Sequence, residues 1–265
     1  MYKFIEGSLK VVTNLLQVKQ LTKYYGTTKS VTKALDGINF EVTKGEFVGV
    51  MGPSGSGKSS LLNCIATLDR PTSGEILLDG TNLVKLKSKK LEQIRNQKLG
   101  FIFQNFNLLD TLSAYDNIAL ALTIQKVSSK LIDQRIQDIA EKLNITKLLN
   151  KFPYELSGGE KQRIAAARAM VTNPEILLAD EPTGALDSKS ARKLLDRLSF
   201  LNEQYQATIL MVTHDAFTAS FASRILFIKD GKVFNELYRG DDTREEFFDR
   251  ILDVIAIIGG GNDVF

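Results

Sequence analysis

Eight consecutive residues, Gly52-Pro53-Ser54-Gly55-Ser56-Gly57-Lys58-Ser59, fit the pattern G-x-x-x-x-G-K-[ST] at every fixed position. Glycines let the backbone curl so that successive N–H groups point into one concavity, a nest for phosphate oxygens. Lys58 adds a mobile positive charge for terminal phosphates, the Ser59 hydroxyl suits Mg²⁺, and Ser60 adds one more hydroxyl. Three further sets of side chains follow apolar runs. Ile176-Leu-Leu-Ala179 leads to Asp180 and Glu181, Leu99-Gly-Phe-Ile-Phe103 to Gln104, and Thr208-Ile-Leu-Met-Val-Thr213 to His214. In open α/β sheets ligands bind at the carboxyl ends of the strands. Asp180 in such a place suits a metal-linked acid, and Glu181, one residue later, can polarise an attacking water; the plain alternative is a solvated acidic turn before Pro182. His214, the single histidine, reaches toward a γ-phosphate or is merely structural.

A second phosphate site is suggested by a loss of helix propensity. Ser157 and Glu160 form a capping box that opens a helix over Lys161–Met170. That box is a complete local explanation, except that Gly158 and Gly159 occupy the first turn, each costing up to ~1 kcal/mol relative to alanine. Bare backbone amides at a helix N-terminus suit an approaching anion.

These groups need a scaffold. Glu46–Met51 reads as a strand and Ser59–Ala66 as a helix, which aims the positive end of the helix dipole at the glycine loop. Leu16–Leu21 and Ile38–Val42 alternate as half-buried strands, with Tyr24 and Tyr25 between them. Tyr25 is either a purine-stacking ring or a satellite core aromatic. Strands are also expected at Glu75–Asp79, Leu99–Phe103, Glu175–Ala179 and Thr208–Thr213, and a hairpin about Asp230-Gly231. From about 113 to 170 the spacing turns helical, at Ala114–Thr123, Ser129–Leu143 and Gly158–Met170. Thr243 and Glu246 cap a last helix whose apolar face is Phe247, Ile251, Val254, Ile255 and Ile258. The expected fold is therefore α/β, a parallel sheet covered by helices with a helical insert.

Composition narrows the class. The chain has 265 residues, 43% hydrophobic and 25% charged, as in ordinary globular domains. A net charge of +3 gives no argument for nucleic acid. Cys64 is the only cysteine, so no intramolecular disulfide can form. Met1–Lys10 lacks the apolar core of a secretory signal, and no run reaches the ~18 apolar residues of a membrane span. A membrane role would need another chain to supply the spanning part.

Together these elements, in this order, resemble the nucleotide-binding subunits of ABC transporters over about Leu15 to Gly240. The resemblance makes Gly52–Ser59 the Walker A loop, Ile176–Asp180 Walker B with Glu181 as catalytic glutamate, and Gln104 the glutamine that touches metal and water. Leu156-Ser-Gly-Gly-Glu160 matches the family signature, and His214 the switch histidine. Tyr25 stands at the position of the adenine-stacking aromatic, and Ala185-Leu-Asp187 matches the D-loop, although Gly184 stands where serine is common. It implies an ATPase with ATP and Mg²⁺ as cofactors, the metal held near Ser59, Gln104 and Asp180, and catalysis carried by Glu181, His214, Gln104 and Lys58.

The implied fold is a phosphate-loop NTPase core with a mostly parallel sheet, an antiparallel β subdomain and an inserted α-helical subdomain at about 113–170. Residues 1–14 are then an extension, 15–240 the ATPase domain, and 241–265 a C-terminal helix and tail. The implied partners are a second copy, packed head to tail so that Ser157 and the amides of Gly158 and Gly159 cradle its γ-phosphate, and an integral membrane permease at the cytoplasmic face of the membrane; nucleic acid is not expected.

Within the family, Phe101–Leu109 and Asp116-Asn-Ile118 resemble the group serving lipoprotein-release and macrolide-export permeases. Gly49–Ser54 and Asn107–Leu112 look still more like Bce-type ATPases, which implies resistance to or export of bacitracin-like antimicrobial peptides. The alternatives are a lipoprotein-release or cell-division ABC ATPase, or a non-transport one, although a single motif set without heptads speaks against the last. Phe106, Leu108, Leu109 and Leu112, just after Gln104, form either a permease-docking surface at Asn105–Leu112 or ordinary core.

Overall fold

A computed structural model describes residues 2–5, 8–11, 14–27 and 30–259. Residues 1, 6, 7, 12 and 13 of the expected N-terminal extension, and 260–265 of the expected tail, lie outside the described residues. Strands β1 (Tyr2–Ile5) and β2 (Ser8–Val11) pair antiparallel as a sheet of their own.

β3 (Asn14–Thr27) and β4 (Ser30–Thr43) form a long antiparallel pair, followed by β5 (Phe47–Met51) and helix α1 (Lys58–Ile65). Both long strands outrun the alternating stretches expected for them, because their register shifts at several points, including Val18/Leu21 and Lys23/Tyr24. Each shift resets which face a side chain points to, while the backbone ladder continues. Tyr24 and Tyr25 therefore lie inside β3, not between strands.

β6 (Ser73–Leu78), the short β7 (Thr81–Asn82) and helix α2 (Ser88–Lys98) come next. β8 (Leu99–Ile102) leads into α3 (Ala114–Ile124), α4 (Ser129–Lys142) and α5 (Gly158–Met170). The chain closes with β9 (Ile176–Asp180), α6 (Ser188–Tyr205), β10 (Ile209–Val212), α7 (Ala216–Ala219), β11 (Arg224–Lys229), β12 (Lys232–Tyr238) and α8 (Arg244–Gly259).

The central sheet has the order β12-β11-β5-β10-β9-β8, parallel except for β12, and a four-stranded antiparallel sheet has the order β4-β3-β6-β7. Period-2 alternation divides the core between them. Phe47, Met51, Leu177, Ala179, Ile209, Met211, Ile225 and Phe227 face a cluster shared with α3–α8. Val48, Val50, Ile176, Leu178, Leu210, Val212, Leu226 and Ile228 face a second cluster shared with α1 and the antiparallel sheet. Both faces of the central strands are buried, as their near-continuous apolar runs require.

Arg224, 6% exposed, ties this frame together. Its guanidinium donates to both Glu46 carboxylate oxygens, to Glu236 Oε2 and to the carbonyl of Glu41, joining β11 to the start of β5, to β12 and to β4. The glycine loop thus leaves a strand anchored at its other end. Helices α2 and α6 were not anticipated. In α2 only Leu91 is buried, so periodicity had little to register. In α6 the signal was present, with Ala191, Leu194, Leu195, Leu198 and Leu201 on one face and Asp187 accepting from Ser190 N–H as N-cap.

Candidate functional site

The glycine loop spans the end of β5 and the start of α1. Gly52 has φ 154° and Gly57 φ 104°; a Cβ at either would fall 2.0 Å from the Ile228 carbonyl oxygen or 2.2 Å from that of Ala34. No larger residue fits these two positions. Lys58, 8% exposed, folds back over the loop and donates to the carbonyls of Gly52 at 2.8 Å and Pro53 at 2.9 Å. Burial draws its ammonium below the usual lysine range, and the charges of Glu181 and Asp180 oppose that shift. The Ser56 hydroxyl is buried without a partner. Pro53, Ser54, Gly55 and Ser59 are exposed, and Ser60 is half-buried.

Tyr25 is not a core aromatic. It is 40% exposed, donates its hydroxyl to Asp69 at 2.8 Å, and approaches Ser60 Oγ at 3.4 Å on the helix that follows the loop. Lys23 Nζ lies 4.7 Å from the ring centroid, a cation–π contact, and pairs with Asp69 at 2.6 Å. The ring is thus a fixed, partly open aromatic face beside the loop.

Two strands across the sheet from β5, β9 ends at Asp180, whose Oδ1 is buried with no hydrogen-bond partner. Burial, and after it the Glu181 charge, pushes this carboxyl above its usual range, with Lys58 opposing. A buried carboxylate oxygen without a donor is costly to leave bare and fits a cation ligand. The unpartnered Ser56 hydroxyl beside Lys58 likewise fits a phosphate oxygen. Glu181 adopts φ 46°, donates its N–H to the Val212 carbonyl, and holds Oε1 2.8 Å from His214 Nδ1. A left-handed backbone in a glutamate is strained and aims the carboxylate at the end of β10. Gln104 is exposed and lies over Gly184, where a Cβ would fall 2.7 Å from its Nε2. A side chain at Gly184 would require the exposed Gln104 amide to shift.

Ser157 forms the expected capping box, its N–H and hydroxyl donating to Glu160 Oε2 at 2.9 and 2.8 Å. These bonds hold the Glu160 carboxyl below its usual range and engage it within the cap. The two glycines divide. At Gly159 a Cβ would fall 2.6 Å from Ser190 Cβ, so close packing of α5 on α6 accounts for that residue. At Gly158 nothing lies closer than 3.6 Å, so packing within the chain does not require it. Asp187 is engaged by Ser190, whose N–H and hydroxyl donate to it at 2.9 and 2.7 Å.

One sheet edge thus gathers Gly52–Ser60, Gln104, Asp180, Glu181 and His214 at the carboxyl ends of β5, β8, β9 and β10. Ser157–Glu160 and Asp187 open α5 and α6, and among the described residues no hydrogen bond joins them to the glycine loop.

Sequence reasoning missed the residues that shape the segment after Gln104. Phe106 and Asn107 have φ 59° and 50°, and Arg168 donates to both their carbonyls. Asn117, fully buried, donates to the carbonyls of Leu109 and Leu112 and accepts from Leu109 N–H at 2.8 Å. The Asp116-Asn-Ile118 run was visible in the sequence, but the burial of Asn117 against the 109–112 carbonyls was not. Leu109 is 47% exposed while Leu108 packs on the core, so the apolar cluster is part surface and part interior. Beside it, Phe101, Phe103, Leu120 and Ile124 line a groove of about 260 Å³.

The chain is similar to known proteins over most of its length. Residues 35–184 match the ABC transporter family. The chain is 49% identical over 254 residues to the ABC transporter ATP-binding protein YxdL of Bacillus subtilis (strain 168), covering 96% of this chain and 98% of that protein. It is 48% identical over 246 residues to the bacitracin export ATP-binding protein BceA of Halalkalibacterium halodurans, covering 93% and 97%. Among solved structures, the dimeric post-hydrolysis state of the ATP-binding cassette MJ0796 bound to ADP and Pi superposes with a TM-score of 0.77 at 41% identity, covering 84% of this chain and 98% of that one.

Proposed function

Since the chain belongs to the ABC transporter family as an ATP-binding, ATP-hydrolysing subunit, we propose that it drives a separate peptide-exporting permease of the bacitracin-resistance kind. In this reading the permease is a separate chain and this subunit docks on its cytoplasmic side; no described helix is long and apolar enough to cross a membrane. The similarity to BceA supports the cargo class, and that to the dimeric MJ0796 cassette supports a dimer, which the family resemblance arranges head to tail. The 105–112 segment and its adjoining groove are the proposed docking surface.

The observation that carries the catalytic reading is the convergence of the glycine loop with two unlike carboxylates. Half-buried Asp180 has a buried, orphaned Oδ1, and Glu181 is strained and paired with His214. Lys58, the loop amides and Ser56 receive the β- and γ-phosphates, and Tyr25 takes the adenine face. Ser59, Asp180 and Gln104 hold Mg²⁺, which when bound neutralises charge on the phosphate oxygens. Glu181 accepts a proton from the attacking water, and His214 orients that carboxylate. Gly158, unexplained by packing, leaves its amide open to the γ-phosphate held by a second copy.

Light scattering with an ATP hydrolysis assay tests the nucleotide site and the dimer. Glu181→Gln keeps size and hydrogen bonding but is a far weaker base. It should bind ATP, fail to hydrolyse it, and shift from monomer to dimer with MgATP. Adding Ser157→Arg should abolish the shift. One mass in every state would sink the head-to-tail dimer.

A further inference from the structure

Helix α5 grips the hydrolytic end of the site from inside the core. Gln162 is fully buried, one turn beyond the Ser157 cap. Its Nε2 donates to the carbonyls of Phe103 at 2.9 Å and Pro182 at 2.7 Å. Those carbonyls belong to the residue just before Gln104 and the residue just after Glu181. The amide's orientation follows from its neighbours. Both are acceptors, so only the NH₂ group can face them, and Oε1 is left buried without a partner. An amide that leaves its acceptor unsatisfied in order to bridge two carbonyls is poorly explained by packing alone.

The bridged segments need restraint. Glu181 has a left-handed backbone, with φ 46°. The Gln104 side chain rests over Gly184, two residues beyond Pro182, so the two segments also touch each other. Arg168, on the same helix, holds the carbonyls of Phe106 and Asn107.

We propose that Gln162 is a positioning residue for ATP hydrolysis: its one buried amide sets Gln104 and Glu181 in register with α5, so that a displacement of the Ser157 end reaches both side chains. This rests on the roles of Glu181 and Gln104 proposed above. A partner phosphate seated on the N-terminus of α5 thereby adjusts the water-activating carboxylate of the same chain, without a contact between them.

The test uses the full-length subunit with Q162M, which keeps volume and removes both donors. Steady-state and single-turnover phosphate release, MgATP affinity and thermal denaturation are measured in wild-type and E181Q backgrounds. The expected result is a kcat at least tenfold lower and an ATP Kd within threefold, with a clearly smaller loss of residual single-turnover hydrolysis in the E181Q background, because the part of the effect carried by Glu181 is already gone there. Hydrogen exchange should accelerate at 104–107 and 183–186 while the remaining core keeps its protection. A kcat within twofold of wild type, or a tenfold loss that persists in E181Q, overturns the proposal. If Q162M does not fold, Q162E, which keeps the shape and replaces Nε2 by oxygen, is held to the same thresholds. Failure of both to fold assigns Gln162 to the core and likewise overturns it. Wild-type turnover by E181Q alone instead removes the underlying reading of Glu181, a result distinct from an inactive E181Q beside a fully active Q162M.

Discussion

Methyl groups added at Gly158 and Gly159 should act in opposite directions. A Cβ on Gly158 would meet the Ala185 carbonyl oxygen and Leu186 Cδ2 at 3.6 Å and Phe106 Cζ at 3.7 Å, all ordinary contacts. Gly158→Ala should therefore stabilise the isolated subunit by roughly 0.4–1 kcal/mol, chiefly by restricting the unfolded chain. For a chain of this size that raises the Tm by about 1–4 °C. A Cβ on Gly159 would fall 2.6 Å from Ser190 Cβ and 2.7 Å from Ser190 Oγ in a buried helix contact. Overpacking of that kind costs about 1–3 kcal/mol, so Gly159→Ala should lower the Tm by about 3–10 °C. Activity should not follow stability. Losing a preorganised backbone donor costs about 10²–10³ in kcat, and a methyl that crowds the donor without removing it should cost Gly158→Ala about 10–100-fold. Differential scanning fluorimetry and phosphate release at saturating MgATP read both quantities on one preparation. If Gly158→Ala melts higher and hydrolyses ATP at the wild-type rate, the bare amide serves no second copy and that reading falls. If Gly159→Ala melts like wild type, Ser190 yields freely and the packing account is wrong.

Three other expectations follow from the site. Asp180 has a folded-state pKa raised first by burial, so the native state holds its proton more tightly than the unfolded chain. Stability must then fall as pH rises from the ordinary carboxylate range through that raised value, and the loss persists above it. Asp180→Asn should melt higher than wild type at pH 7 without nucleotide, yet lose at least about 100-fold in turnover, as expected for a lost metal ligand; a lower melting temperature would contradict the burial argument. His214→Ala removes the group 2.8 Å from Glu181 Oε1 and should slow hydrolysis by about 10²-fold with little change in ATP affinity, whereas equal rates would make His214 structural. Leu109 is 47% exposed, so Leu109→Asp should spare folding and nucleotide binding while weakening copurification with the permease. Retained copurification and normal resistance to bacitracin-like peptides would move the docking site elsewhere.

The glycine loop, its strand and its helix were legible because their chemistry is local. Gly52, Gly57 and Lys58 act within a few residues of one another, and a continuous apolar run such as Ile176–Ala179 signals a strand buried on both faces wherever it lies in the sheet. The Ser157–Glu160 and Thr243–Glu246 caps were legible for the same reason, each closing over three residues. The order of motifs was enough to indicate the family.

Tertiary structure alone decided the rest, because those contacts join residues far apart in sequence. The order β12-β11-β5-β10-β9-β8 interleaves distant strands, so adjacency along the chain does not predict it. Register shifts in β3 and β4 defeat alternation as a guide to strand length. The meaning of the paired glycines changed once α6 was seen against α5, since only the proximity of Ser190 separates a glycine needed for packing from one left open. Gln162 reads along the chain as one more polar residue in a helix. Its function depends on two carbonyls, 59 and 20 residues away, that folding alone brings within reach of one amide.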